Sequence, residues 1–329
     1  LEVADNFYEG WVDAGSEVAE AYRNSPVVVH DADVPWVGTR QDARAKLIFG
    51  RELGFPTMGG AVTKSEIPVG WQTGTHRHGE ESMFILAGSG ASEIDGRWYR
   101  WRAGSAVYVP YRAQHRHVNL GSEPVVYLSA TATPLEIFVN LGGIEHIADC
   151  GPVDAEQVSA IPGSTSDHDA EGKRVHIHLD DSPITASEED RDSTLAANQD
   201  QHNLVQYLIG PRAGFDATSV AISHVFTEPA GSRTGRHRHL EALLYVLEGN
   251  GFTDIEGRHI PWGPGDLMQI PPAMFAHQHY NDGTADCRLL RIGFGIRPWF
   301  TSIWPAGYES RRELDESGRA LVAGRYREG

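Results

Sequence analysis

A chain of 329 residues with 36 glycines, 18 prolines and a formal net charge of −17 is long enough for two domains that each bury a core, and its glycines and prolines punctuate many short strands. The acidity leaves no basic stripe to follow a phosphate backbone, so neither nucleic acid nor an anionic membrane is an expected partner. The two cysteines, Cys150 and Cys287, make no disulfide framework, no stretch is apolar enough to span a bilayer, and no basic-then-apolar leader opens the chain; a cytoplasmic setting is expected.

Residues 1–45 read as an N-terminal arm. The spacing predicts a helix over 16–24, with Val18, Ala19 and Tyr22 on one side and Pro26 beyond its end. Strands begin at 27–30, where His30 reads as a packing residue. A first domain over 46–148 then unfolds as apolar runs at 47–49, 59–63 and 83–86 broken by glycine. Asp95-Gly96, between runs at 91–94 and 97–101, predicts a two-residue hairpin, because both central positions of a type I′ turn need positive φ. Further strands follow at 104–110 and 125–130.

Residues 149–202, dense in Asp, Ser, Glu and Ala around 181–200, read as a linker region. His176-Ile-His178 within it reads as part of a strand with histidines on its polar face. A second domain spans 203–296, where Glu256-Gly257 repeats the hairpin signal, and 297–329 form a polar tail with a short helix near 309–321.

The two domains are copies. Gly74-Thr-His76-Arg-His78-Gly-Glu80 returns as Gly235-Arg-His237-Arg-His239-Leu-Glu241, and the same offset of 161 links Gly90 to Gly251, Gly96 to Gly257, Trp101 to Trp262 and Pro110 to Pro271. One insertion later, His115, His117 and Asn119 align with His277, His279 and Asn281. Chance does not hold glycine, proline, tryptophan and histidine in one register, so the chain is an internal duplication.

In a strand, residues two apart share a face, so each His-x-His presents two imidazoles side by side. A metal needs further ligands converging from another strand. His76 and His78 with either His115 or His117, and His237 and His239 with either His277 or His279, supply them. Three neutral imidazoles leave a metal its full charge and three open positions.

The pattern His76-Arg-His78 with Gly104-x5-Pro110-x4-His115-x3-Asn119, matched by Gly265-x5-Pro271 and His277-x3-Asn281, resembles the two motifs of the cupin superfamily. The resemblance implies an all-β chain of two tandem jelly-roll barrels, a bicupin, behind a short helical arm. The Glu that many metal-binding cupins carry four or five residues after the second motif histidine is absent: Ser82 and Met83, or Leu243 and Leu244, stand there. What is left is a three-histidine site, similar to that of the gentisate, salicylate and 1-hydroxy-2-naphthoate dioxygenases.

That resemblance implies Fe(II) held by His76, His78 and His115 in the first barrel; three histidines also accept Mn, Ni, Cu or Zn. Because His237, His239 and His277 are kept in the second barrel, where many of these relatives have lost one set, both barrels are expected to bind metal. The resemblance implies ring cleavage of a hydroxylated aromatic acid by O2 in a homo-oligomer. Glu80, His117, Glu241 and His279 are expected beside the metals, as bases or as groups that orient the imidazoles. One departure stands out. The family's carboxylate-binding Arg, six residues after the second histidine, is replaced by Phe84 and Tyr245, with Arg51, Arg212 and Arg112 as candidate substitutes. Two alternatives follow: a three-histidine dioxygenase for a hydroquinone, flavonoid or β-diketone, and a metal-stabilised binding bicupin without turnover.

Overall fold

The computed structural model describes residues 6–57, 59–141, 143–186, 204–234, 241–270 and 275–294. Strands dominate them. In the first barrel one sheet runs in the order His176–His178, Ser105–Val109, Glu81–Ala87, Val125–Thr131, Ala61–Ile67 and Arg44–Phe49, each pair antiparallel. Across from it His115–Asn119 pairs with Thr75–Arg77, Trp71–Gln72 and Ser89–Ile94, and the last pairs with Arg97–Arg102.

The second barrel repeats the plan. Leu267–Ile270, Ala242–Glu248, Cys287–Phe294, Val220–Glu228 and Leu204–Tyr207 form one sheet, and Arg258–Trp262, Gly251–Ile255 and His277–Tyr280 the other. Both hairpins have the expected turn: φ is 47° and 76° at Asp95 and Gly96, and 51° and 84° at Glu256 and Gly257.

Strand alternation sorts the side chains into two kinds of core. Met83, Ile85, Val107 and Val109 fill the interior of the first barrel, whereas their neighbours Phe84, Ala106 and Tyr108 join Phe215, Leu243, Tyr245 and Phe294 in a core shared by both barrels. Phe49 stacks on Phe294 with centroids 6.1 Å apart. At roughly 1.5–3 kcal/mol for each large apolar side chain fully buried, this shared layer holds the barrels together.

The barrels also exchange strands. Val28–Val29, from the arm before the first barrel, pairs with Leu267–Ile270 of the second, and His176–His178, from the segment before the second, pairs with Ser105–Val109 of the first. Residues 149–178 are therefore built onto the first barrel, with a helix Ala155–Ala160 and this edge strand, while Thr185–Ala186 pairs with Leu204–Tyr207 of the second, so the segment is more than a plain tether. His176 and His178 serve the packing: Asp167 and Ser105 hold the former, and the latter, buried, bonds the Ala103 carbonyl at 2.9 Å.

Other expectations shift. The N-terminal helix is Phe7–Asn24, starting earlier than 16 because the Asn6 carboxamide oxygen accepts the Tyr8 and Glu9 N–H groups. Ala19 and Tyr22 anchor it against Ile255 and Phe275 of the second barrel. His30 is not a packing residue. It is half exposed and meets Asp266 at 3.0 Å. The tail helix near 309–321 lies outside the described residues.

Gly90 and Gly251 occupy places where no side chain fits. A Cβ on Gly90 would stand 2.2 Å from the Val118 carbonyl oxygen and 2.3 Å from the Trp101 ring, and one on Gly251 would stand 2.1 Å from the Tyr280 oxygen and 2.6 Å from Trp262. The repeated glycine and tryptophan are thus one packing device, the ring lying across the bare strand.

Candidate metal centre

Four buried side chains converge inside the first barrel: His76, His78, Glu81 and His115, whose ligand atoms all lie within 4.8 Å of one another. Antiparallel register sets His76 directly opposite His115, and their Nε2 atoms are 2.8 Å apart. Glu81 Oε2 is 3.3 Å from His78 Nε2 and 3.2 Å from His115 Nε2. Donors about 2.1 Å from one ion and at right angles to each other are about 3 Å apart, so this set fits a first-row metal. Backbone carbonyls fix the rings: Gly79 O lies 3.1 Å from His78 Nδ1 and Ala113 O lies 2.9 Å from His115 Nδ1. Each Nδ1 then carries the proton and each Nε2 turns its lone pair to the centre.

Burial also sets the charges. Desolvation, reinforced by the neighbouring His115 and His78 rings, pushes His76 down to about 2. Desolvation likewise takes His117 down to about 3. Burial pushes Glu81 up, but contacts with His115 and His78 outweigh it and hold the carboxyl well below its usual range. At neutral pH His76 and His117 are thus neutral imidazoles and Glu81 is a carboxylate.

Glu81 is the residue the sequence reading missed. The His-x-His alternation continued unbroken through 78–84 would turn 78, 80, 82 and 84 to one side. Instead the strand ends at Arg77 and the next begins at Glu81, and the bend at Gly79-Glu80 resets the alternation. Glu81, Met83 and Ile85 face the barrel interior; Glu80, Ser82 and Phe84 face the other barrel. The signal was available in the pair of adjacent glutamates, one of which any reset of phase turns inward.

The same bend relocates other expected residues. Glu80 does not approach the histidines: it accepts hydrogen bonds from Tyr108 Oη at 2.7 Å, Thr218 N at 2.9 Å and both Thr218 Oγ1 and Ser219 Oγ at 2.8 Å. Glu241 turns likewise to Thr57 Oγ1, at 3.2 Å, and Gln269 Nε2. Phe84 and Tyr245 lie in the shared core, so neither occupies an inward position where an Arg would meet substrate. Arg112 is engaged by Gly143 O and Glu145, Arg51 by Thr57 O, and Arg212 by the Tyr207 hydroxyl.

His117 is buried beside the cluster without joining it. Its Nδ1 meets Ser92 Oγ at 2.8 Å, and the Trp101 indole N–H donates to the same oxygen at 2.8 Å. His279 repeats this with Thr253 Oγ1 at 2.8 Å and Trp262 at 3.0 Å. His277 is buried in the second barrel, while His237 and His239 lie outside the described residues. Where the first barrel has Glu81, the second, 161 residues on, has the buried Ala242. The two barrels differ in their carboxylate.

Two further acids border the centre. Glu136, on the helix Thr133–Phe138, sits on bare Gly79: a Cβ there would be 1.7 Å from its Oε2. Asp42 accepts the Tyr127 hydroxyl at 2.6 Å, and the Tyr127 ring packs edge-on against His117. Desolvation, partly opposed by that hydrogen bond, pushes Asp42 up to about 6. Because the folded chain holds this proton more tightly than the unfolded one, the stability Asp42 contributes is complete near pH 4 and lost as pH rises through 6. Asp42→Asn, which keeps an acceptor for Tyr127, is expected to stabilise the protein at pH 8 by about 1–3 kcal/mol and to give a shrinking benefit as pH falls toward 4. Urea titrations at pH 4.5 and 8 check this; an equal effect at both would refute it.

The chain belongs to the cupin superfamily: residues 63–131 and 224–293 each match the cupin domain family, on the two barrels described above. Gentisate 1,2 dioxygenase 1 of Aquipseudomonas alcaligenes is 25% identical over 206 residues, 60% of this chain and 59% of that protein. The chain thus spans under two thirds of that relative's length. An uncharacterized protein of Methanocaldococcus jannaschii is 31% identical over 90 residues, 26% of this chain and 72% of that protein. Among solved structures, a variant of Bacillus subtilis oxalate decarboxylase superposes with a TM-score of 0.58 at 17% identity, covering 82% of this chain and 77% of that one. Salicylate 1,2-dioxygenase from Pseudoaminobacter salicylatoxidans gives 0.58 at 15% identity, covering 89% and 81%. These show a shared bicupin fold. Among the described residues no helix is long and apolar enough to cross a membrane.

Proposed function

We propose that the protein is an Fe(II)-dependent dioxygenase that opens the ring of a small hydroxylated aromatic acid, with the first barrel as its working centre. The observation that carries this reading is the convergence of His76, His78, Glu81 and His115 inside that barrel; the gentisate dioxygenase relative supplies the substrate class. When bound, the metal would supply a Lewis-acidic, redox-active meeting point for substrate and O2. The chain's own contribution is order and dryness. The Gly79 and Ala113 carbonyls fix the imidazole tautomers, Glu81 brings a single negative charge, and Met83, Ile85 and Val109 wall the interior against water. His117, held by Ser92, would hydrogen-bond a ligand beside the cluster.

A second reading rests on the carboxylates. An oxalate-type decarboxylase would use a carboxylate among the metal's ligands, and Glu81 stands in that place. Glu136, outside the cluster and pushed up by burial, would be a second carboxyl close to the centre. The two readings separate in one experiment. Protein reconstituted with Fe(II) or with Mn(II) is given gentisate, salicylate or oxalate, and O2 uptake and CO2 release are followed. Ring cleavage with O2 uptake by the iron form supports the dioxygenase; CO2 from oxalate with the manganese form, and no uptake with aromatic acids, would replace it.

Assembly as a homo-oligomer belongs to the same proposal. The N-terminal helix exposes Phe7, Tyr8, Trp11 and Val12, and the first barrel exposes Ile137, Phe138, Leu141 and Ile144, large apolar side chains that a partner copy would cover. Light scattering is expected to give a multiple of 36.1 kDa that Trp11→Glu lowers; a monomeric wild type would refute it.

A further inference from the structure

Glu80 and Glu241, 161 residues apart, make equivalent contacts across the boundary between the barrels. Glu80 of the first barrel takes the backbone and hydroxyl donors of Thr218 and Ser219 from the second, and Tyr108 from its own side. Glu241 of the second takes the hydroxyl of Thr57 from the first, and Gln269 from its own side. Thr57 stands to Thr218, and Tyr108 to Gln269, at the same interval of 161. The arrangement is a reciprocal latch with pseudo-two-fold symmetry. A carboxylate with only 4% of its surface exposed needs such partners, since burying it unpaired would cost several kcal/mol.

The latch adjoins the metal ligands. Glu80 follows His78 by two residues and precedes Glu81, so the backbone that sends Glu80 outward is the one that sends His78 and Glu81 inward. Glu136 closes the bend from above: its carboxylate lies on Gly79 and its Oε1 meets Ser219 Oγ at 3.4 Å. One segment, Thr218-Ser219 of the second barrel, thereby holds both acids that flank the bend.

We propose that Glu80 is a positioning residue for the first-barrel metal centre, and that residues of the second barrel, Thr218 and Ser219, set the metal affinity of the first through it. The inference deepens the proposed function, because it rests on the same centre. A bend free to relax moves His78 and Glu81 relative to each other, and loss of supporting hydrogen bonds behind a metal ligand typically weakens binding about 10–100-fold.

The test is competition for Mn(II) against a chelator of known affinity, using the full chain, with Glu80→Gln, Thr218→Val combined with Ser219→Ala, and the milder Ser219→Ala alone. Each variant's melting temperature is measured, and titrations run well below the lowest. The expected result is a roughly tenfold or greater weakening in Glu80→Gln and in the Thr218/Ser219 pair, with the combination of all three no weaker than Glu80→Gln, as one linked unit requires. Ser219→Ala, which loses a single hydroxyl, falls between. Unchanged Mn(II) affinity with lowered melting temperatures would reduce the latch to an interface contact and overturn the proposal while leaving the proposed function standing. A wild type that takes up no Mn(II) or Fe(II) would overturn both.

Discussion

Glu81→Gln is expected to lower the metal affinity of the first barrel by roughly two orders of magnitude or more and to abolish turnover there. The substitution keeps the shape of the side chain and removes the one formal negative charge among the four donors. Neutral imidazoles then face a divalent ion alone. The amide also forces one of its ends to donate, and the atoms it faces, His78 Nε2 and His115 Nε2, both have their Nδ1 committed to carbonyls. Metal per chain, by elemental analysis after dialysis against a weak chelator, is the measurement. A Glu81→Gln protein that holds metal as tightly as wild type would mean that the histidines suffice, and the site would be the three-histidine one the sequence suggested.

The second large effect is on folding. Gly90→Ala is expected to destabilise the protein by about 3 kcal/mol or more, the upper range for overpacking a core. The added methyl has nowhere to go: the Val118 carbonyl is fixed by the strand ladder, and the Trp101 ring is locked by its hydrogen bond to Ser92. Moving that ring also disturbs Ser92 and His117, so the cost reaches the metal centre. For a unit of this size the melting temperature should fall by roughly 6–12 °C. Gly251→Ala should behave alike in the second barrel, while Gly163→Ala, with open space around its Cβ position, should be neutral. A Gly90→Ala protein melting with the wild type would show that the strand yields more easily than this packing implies.

Much of the fold was legible because duplication prints each constraint twice. Gly90 and Gly251, Trp101 and Trp262, and the Asp95-Gly96 and Glu256-Gly257 turns each mark a backbone event that tolerates few residues. The histidines were legible for a related reason, since an i, i+2 pair on one strand and a second pair 39 residues later (His76 to His115) rarely serve packing alone. Where strand phase had to be carried through a bend, the reading failed: it turned Glu80 inward and left Glu81 unnoticed. A one-residue slip exchanges the two faces, and nothing local distinguishes Gly79-Glu80 as a corner rather than a strand interior. Partners from the other barrel were equally hidden, because Thr218 and Tyr108 become neighbours of Glu80 only once both barrels are folded. The role of 176–178 as an edge strand of the first barrel was missed for the same reason.

The exchanged edge strands have a bearing on ancestry. Each barrel borrows a strand from the segment that leads into the other. A one-barrel forebear with this arm would have left its own sheet edge bare and its arm without a sheet, unless two copies traded arms. Gene fusion would then have joined a pair already interlocked, making a dimer's concentration-dependent association permanent. Once each copy could no longer be replaced by its twin, their sequences were free to part, as they have at Glu81 and Ala242.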